Sequence, residues 1–569
     1  MGEIEGKPMS DKPWVKSYPA GVDWHAPIQT GAVQGILEDS AKAWPERTAL
    51  DFMGTHTSYS ALNRLADNFA AGLQRLGVKP GVHVGIYLPN TPHYFIAFFG
   101  ILKAGGTVVN YSPLDAEAVL EHKIEDSETD LLVTLDMKAL YPQMQRMLGH
   151  TRLRGLIVGS LSDFAANPQA VTAALTEAGD IAHVAYSDSI VRFADLQTPA
   201  TPQSYPITDP NESIAVLQYT GGTTGLPKGA ILTHANLTAA THQIWLTGMV
   251  DPPVLFPGEE RVLAVLPPFH VYALVVNMLF GIKLGAEIIL HTRFDMAAVL
   301  GDIASKRVTI FCGVPTMFVG MLQAGGAQMD LTSLRLCNSG GAPLPMEVQD
   351  RFQTISGTSL NEGWGMTETA AIGTFTPATT GRPPGSCGIP GPGIEFRFLD
   401  TTDPTHILPL GERGEICVRG PNIMRGYWKN DKATAEMISP DRFMRTGDVG
   451  YMDENGFVYI VDRTKDMLLC GGFNVYPRVI EEAIYQHSSV AEVAVIGIAD
   501  AYRGQAPKAF VKLREGSPEM TLDELKAFLK PRLGKHEMIA ALALVDQLPR
   551  TPVGKIDKKP LYAAEAAHA

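Results

Sequence analysis

Between residues 48 and 338, short apolar runs alternate with segments of helical period, and this alternation constrains the fold more tightly than any other feature. Residues 82–88 read as a strand, 92–103 as a helix and 107–109 as a strand. Further strands are expected at 261–266, 286–290, 308–311 and 334–338, with a buried helix at 271–280. Strands separated by helices cannot close as hairpins. They pair in parallel through crossovers, which implies a doubly wound α/β sheet. Ahead of them a helix is expected at 33–43, then a hairpin turning at Met53-Gly54. Leu62, Leu65, Phe69, Leu73 and Leu76 recur at helical spacing, and Gly77 stops that helix.

The stretch Tyr219-Thr220-Gly221-Gly222-Thr223-Thr224-Gly225-Leu226-Pro227-Lys228-Gly229 follows an apolar strand at 214–217. Its four glycines allow backbone N–H groups to converge on one point; its three threonines add hydroxyls and Lys228 adds a cation. Convergent donors with one cation suit a phosphate. No Gly-Lys is followed by Ser or Thr here, so this is not the common P-loop. A strand at 230–232 and a helix opened by Thr233 and Asn236 are expected to follow.

Composition narrows the class. The chain has 569 residues, 45% hydrophobic and 19% charged, enough for several domains with ordinary cores. A net charge of −13 disfavours nucleic acid as a partner but not an anionic small molecule, which local cations would hold. The five cysteines are scattered, with no Cys-x-x-Cys spacing, which fits a reducing compartment rather than a disulfide framework or zinc site. No apolar leader is visible in the opening residues and no run is long enough to span a bilayer, so a cytoplasmic location is expected, with peripheral membrane contact left open.

From about Gly388 the pattern shifts to short strands with turns, a β-rich subdomain. Beyond Asp466 a compact α+β unit of about a hundred residues follows. The expected division is 1–464 for the large N-terminal domain and 465–569 for a small, mobile C-terminal domain. Four stretches in these regions carry chemistry. Glu362-Gly363-Trp364-Gly365-Met366-Thr367-Glu368 offers a flat aromatic ring, a hydroxyl and a carboxylate, suited to a base, a phosphate oxygen and Mg²⁺. Arg445-Thr446-Gly447-Asp448 reads as a turn presenting a carboxylate to ribose hydroxyls. Asp462-Arg463-Thr464-Lys465-Asp466 packs charges between the two units. Gly554-Lys555 sets a lysine after a glycine near the C-terminus.

In this order and at these intervals the stretches resemble the adenylate-forming (AMP-binding) superfamily, specifically the acyl-CoA synthetases of the medium- and long-chain fatty-acid branch, over nearly the whole chain. The resemblance implies a two-step ligase. A carboxylate and ATP give acyl-AMP and pyrophosphate, and the thiol of coenzyme A then takes the acyl group. It implies that Gly221, Gly222, Thr223, Thr224, Gly225 and Lys228 hold the β- and γ-phosphates, that Thr220 and Glu368 hold Mg²⁺, and that Thr367 bonds the α-phosphate. Trp364 would stack on adenine in a pocket shaped by Gly340, Gly341, Ala342, Glu362, Gly363, Gly365 and Met366. Asp448 and Arg463 would hold the ribose. Lys555 would be the adenylation lysine and Lys465 the hinge; Gly471, Gly472 and Phe473 would border the pantetheine tunnel. Gly221 stands where many members carry Ser or Thr, and Trp364 where Tyr is usual.

For the acid, the resemblance implies a pocket from Trp245, His270, Val271, Leu274, Gly313 and Gly341. His270 stands where amino-acid-activating relatives have an Asp, so a non-amino acid is expected, a medium- or long-chain fatty acid foremost. A pimelate-like dicarboxylate or an aromatic acid remains an alternative. So do a carrier-protein-loading ligase, a luciferase-like oxygenase and a non-catalytic binder on the same scaffold. A monomer or homodimer is expected.

Overall fold

In a computed structural model the described residues are 12–220, 226–324, 330–342, 344, 346–470, 473–500, 503–551 and 556–568. Helix Pro92–Lys103 begins with proline at its first position, which needs no N–H partner there, and Gly105 follows it at φ +84°. All twelve of its residues are buried, so its sequence is apolar on every face. The Met53-Gly54 turn has both residues at positive φ, 48° and 79°, and joins Thr48–Phe52 to Thr55–Ser58 as a hairpin.

Two large sheets result. The first has eight strands. Its parallel part runs Ile214–Thr220, Thr107–Asn110, His83–Ile86, Thr129–Leu135, Gly155–Gly159 and Ile190–Arg192. Lys228–Thr233 and Gly426–Tyr427 extend it antiparallel. The second has seven strands, and the Thr48–Phe52 hairpin completes it by pairing in parallel with Glu287–Leu290. This crossing of the early hairpin to the later sheet departs from simple chain-order winding. It ties the two halves of the large unit together: Ser40 Oγ donates to the Ile282 carbonyl at 2.7 Å and Tyr59 Oη to the Ala286 carbonyl at 2.7 Å.

A four-stranded antiparallel sheet follows, Glu395–Leu399, Gly414–Arg419, Met444–Met452 and Val458–Arg463. The last sheet has five strands, centred on Val490–Asp500 and Gly504–Leu513, and packs its own apolar core with Pro477–Tyr485 and Leu522–Leu529. No helix among the described residues is long and apolar enough to cross a membrane.

Two local expectations change, and one region without a pattern gains an element. The helix expected at 271–280 is a π-helix, Ala273–Leu279, continued by an α-turn, Phe280–Lys283. The 445–448 segment is not a turn but part of strand Met444–Met452, irregular in its pairing on both sides. Residues 159–210, poor in pattern, hold a helix, Pro168–Glu177, with no buried residue, which is why no apolar period marks it.

Candidate functional site

The site is built at the carboxyl ends of the strands of both large sheets, where an open α/β architecture leaves loops free to meet. Thr220, Gly340 and Gly363 each stand at or just past the end of a strand, and all three line one cleft of about 2670 Å³. That volume exceeds a single small-ligand pocket, which is typically about 300–1,000 Å³. Lys228, Gly341, Ala342, Glu362, Trp364, Gly365, Met366, Thr367, Glu368, Asp448, Arg463 and Lys465 line the same cleft. Residues scattered over nearly 250 positions of sequence are thus brought together. Gly221 to Gly225, Gly471, Gly472 and Lys555 lie outside the described residues.

The Trp364 loop is shaped by close backbone contacts. Trp364 N–H donates to Thr374 Oγ1 at 3.0 Å, and its carbonyl accepts from Gly373 and Thr374 N–H. A Cβ on Gly365 would sit 2.0 Å from the Ala371 carbonyl oxygen, so only glycine fits. Past Thr367–Thr369 the chain reverses through two alanines at positive φ, Ala370 and Ala371. Such strain persists only where surroundings over-determine it. Asn422 does so, its Nδ2 donating to the carbonyls of Thr369 and Ile372 at 2.8 and 2.7 Å.

That reversal sets Glu368 in a buried position, where Tyr427 Oη donates to its Oε1 at 2.8 Å. Burial pushes the Glu368 carboxyl above its ordinary pKa, opposed by the Tyr427 hydrogen bond and the charges of Arg463 and Lys228. Lys228 Nζ lies 4.6 Å from the Tyr427 ring centroid, so one tyrosine touches both charged groups. An ionised carboxylate is the kind of oxygen ligand that Mg²⁺ takes.

Asp448 is buried with both oxygens engaged. Trp364 Nε1–H donates to Oδ2 at 2.8 Å, and Arg463 Nε lies 3.2 Å from Oδ1. The strand pairing dictates this, because Asp448 and Arg463 are register partners. Each oxygen keeps a second lone pair for a hydroxyl. Glu362 also lines the cleft: its Oε2 meets Arg382 at 3.0 Å, with side chains only 11% and 2% exposed. Removing one member of such a pair leaves a buried charge and costs about 3–5 kcal/mol. Arg382→Met is therefore expected to lower the melting temperature sharply. Adding Glu362→Gln should recover much of the loss, which a thermal melt of the three variants would show.

The acyl candidates divide. His270 and Val271 line the cleft, with His270 Nδ1 accepting from Tyr272 N–H at 3.3 Å. Trp245, Leu274 and Gly313 are not among its lining residues; Leu274 is fully buried in core, and a Cβ on Gly313 would meet the Phe318 ring at 3.1 Å. The wall is supplied instead by neighbours such as Ile244, Gly248, Leu255, Val276, Phe280 and Cys312. The Cys312 thiol is buried and pushed up to about 12. Lys465, which also lines the cleft, is lowered from its ordinary value by burial and by Arg463. Tyr427, which lines the cleft, and Arg382, which pairs with the cleft residue Glu362, are not marked by the sequence. Nothing local marks Tyr427 as the partner of a carboxylate 59 positions away.

A family model for AMP-binding enzymes matches residues 37–428, and a model for the AMP-binding enzyme C-terminal domain matches 479–555. The chain belongs to the AMP-binding enzyme family. It is an AMP-forming acid–CoA ligase, using ATP with Mg²⁺ to make an acyl adenylate and coenzyme A to take the acyl group.

Among relatives, a protein named long-chain-fatty-acid–CoA ligase from Bacillus subtilis is 37% identical, covering 98% of each chain. A protein of the same name from Escherichia coli O6:H1 is 35% identical over 97% of this chain and 98% of its own. Feruloyl-CoA synthase from an Amycolatopsis species is 34% identical over 91% and 96%. Among solved structures, ATP-bound MatB from Rhodopseudomonas palustris superposes with a TM-score of 0.82 at 26% identity, over 95% of this chain and all of that one. The Bacillus subtilis o-succinylbenzoate CoA synthetase with its acyl-adenylate gives 0.75 at 25% identity, over 93% and 97%.

Proposed function

We propose that this ligase activates medium- or long-chain fatty acids. The observation that carries the reading is the cleft wall between Ile244 and Gln323: none of its described lining residues is Asp, Glu, Lys or Arg. An alkyl chain needs such a wall, whereas a dicarboxylate needs a cation at the far end. Lys283, a lysine within that part of the chain, does not line the cleft; its ammonium lies over the Trp245 ring, 5.3 Å from the centroid. The names of the relatives at 35–37% identity agree with this reading.

In this reading Lys228 with the Gly-rich segment holds the outer phosphates, Thr367 bonds the α-phosphate and Trp364 faces adenine. Asp448 and Arg463 hold the ribose. Thr220 and Glu368 hold Mg²⁺, and Lys555 neutralises charge at the reacting phosphorus. The C-terminal unit begins at Lys465 and swings there to bring Gly471, Gly472 and Phe473 to the thiol. Support for that boundary is the closed core of the last sheet and the separate family match from 479.

A pyrophosphate-release assay over saturated monocarboxylates, pimelate and ferulate, with and without coenzyme A, tests the acid. The highest kcat/KM is expected for the medium and long monocarboxylates. Faster turnover of pimelate or ferulate would overturn the reading. Acyl-adenylate that accumulates without transfer to coenzyme A would favour carrier loading.

A further inference from the structure

The helix Glu117–Asp126 packs against both chain ends of the Gly-rich segment. From its last turn, Asp126 Oδ2 accepts from Tyr219 Oη at 2.5 Å, and the Asp126 carbonyl accepts from Trp428 Nε1–H at 2.9 Å. One turn earlier, His122 Nε2 lies 3.2 Å from the Pro227 carbonyl oxygen. A carbonyl oxygen only accepts, so His122 carries its proton on Nε2 in this contact. Tyr219 directly precedes Thr220, and Pro227 directly precedes Lys228. One helix therefore contacts the chain on both sides of residues 221–225, at the residue before Thr220 and at the residue before Lys228.

The grip on the second end has a specific geometry. Pro227 has no N–H, so its own polar contact is made through the carbonyl alone. That carbonyl belongs to the peptide leading into Lys228, and holding it fixes the plane from which the lysine departs. Farther along, packing is tight. A Cβ on Gly229 would lie 3.2 Å from the Tyr219 ring and 3.5 Å from Trp428 Cβ, and Trp428 N–H donates to the Gly229 carbonyl at 2.8 Å. Lys228 Nζ then rests over Tyr427. The lysine is thus bounded by His122 behind it and Tyr427 beneath its tip.

We propose that His122 is a positioning residue for ATP: it orients the Pro227–Lys228 peptide so that Lys228 meets the phosphates without reorganisation. The inference rests on the reading of Lys228 as a phosphate-binding residue. A neutral hydrogen bond of this kind is worth about two- to tenfold in an equilibrium constant.

The full-length enzyme with His122→Leu or His122→Gln tests it, by ATP–pyrophosphate exchange and by thiolysis of a supplied acyl adenylate. His122→Leu should raise the KM for ATP about two- to tenfold, with kcat nearly unchanged, thiolysis unaffected and the melting temperature preserved. His122→Gln, which keeps an N–H donor, should restore most of the ATP affinity. Equal losses in both half-reactions, an unchanged KM for ATP, or equal effects of Leu and Gln would overturn the proposal. Lys228→Met separates the two levels. If it leaves the KM for ATP unchanged, the phosphate reading of Lys228 fails. If it raises that KM while His122→Leu does not, only the role of His122 fails.

Discussion

Lys555→Ala is expected to abolish acyl-adenylate formation while leaving thiolysis of preformed acyl adenylate close to normal. Adenylation gathers negative charge between the incoming carboxylate and the α-phosphate, and an ammonium is a compact cation able to bridge them. Loss of one such partner costs about two to three orders of magnitude in rate. The described flanks of this lysine support its role. Arg550 and Ile556 bridge antiparallel to each other, and Asp557 N–H donates to the Pro549 carbonyl, so the described residues on the two sides are held together. Thr551 and Ile556, on either side, both line the cleft. Separate assays of the two half-reactions check the expectation; equal loss in both would remove Lys555 from the adenylation step.

Asp448→Ala is expected to raise the KM for ATP about ten- to a hundredfold. Its carboxylate accepts from the Trp364 indole and pairs with Arg463, so truncation releases the proposed base-stacking ring and a proposed ribose contact together. One hydrogen bond to a charged group is worth about 1.5–3 kcal/mol, so loss of the proposed ribose contact alone sets that range. Asp448→Asn, which keeps one acceptor, should lose less. With six tryptophans in the chain, the emission change on Asp448→Ala, read against a Trp364→Phe control, would report the freed indole. An Asp448→Ala enzyme with wild-type ATP dependence would exclude the residue from the nucleotide site.

How far the sequence disclosed this site depends on the physical origin of each part. Helix Pro92–Lys103 was legible to the residue because proline starts it and a glycine follows it closely. The glycines of the Trp364 loop were legible because nothing larger fits at Gly365. Helix Glu117–Asp126 was not foreseen: it buries only Leu120, Ile124 and the charged Lys123, so its inward face does not look apolar. Lys123 is buried because Asp115 pairs with it at 2.5 Å, a contact outside the helix. The hidden partners share this character. Tyr427 on Glu368, Arg382 on Glu362 and His122 on Pro227 are contacts between segments 20 to 105 residues apart, which local spacing does not encode. Trp245 and Leu274 illustrate the reverse: apolar residues beside a pocket in sequence, standing off its wall in space.

The thiol of Cys312 at the cleft wall has a chemical consequence. An acyl adenylate is a mixed anhydride that any nearby thiolate would attack, and the enzyme must keep it intact until coenzyme A arrives. With its pKa lifted to about 12, Cys312 stays protonated at neutral pH and is a poor nucleophile. The other four cysteines are buried and shifted upward as well. A protonated thiol at the cleft wall competes only weakly with coenzyme A for the acyl group.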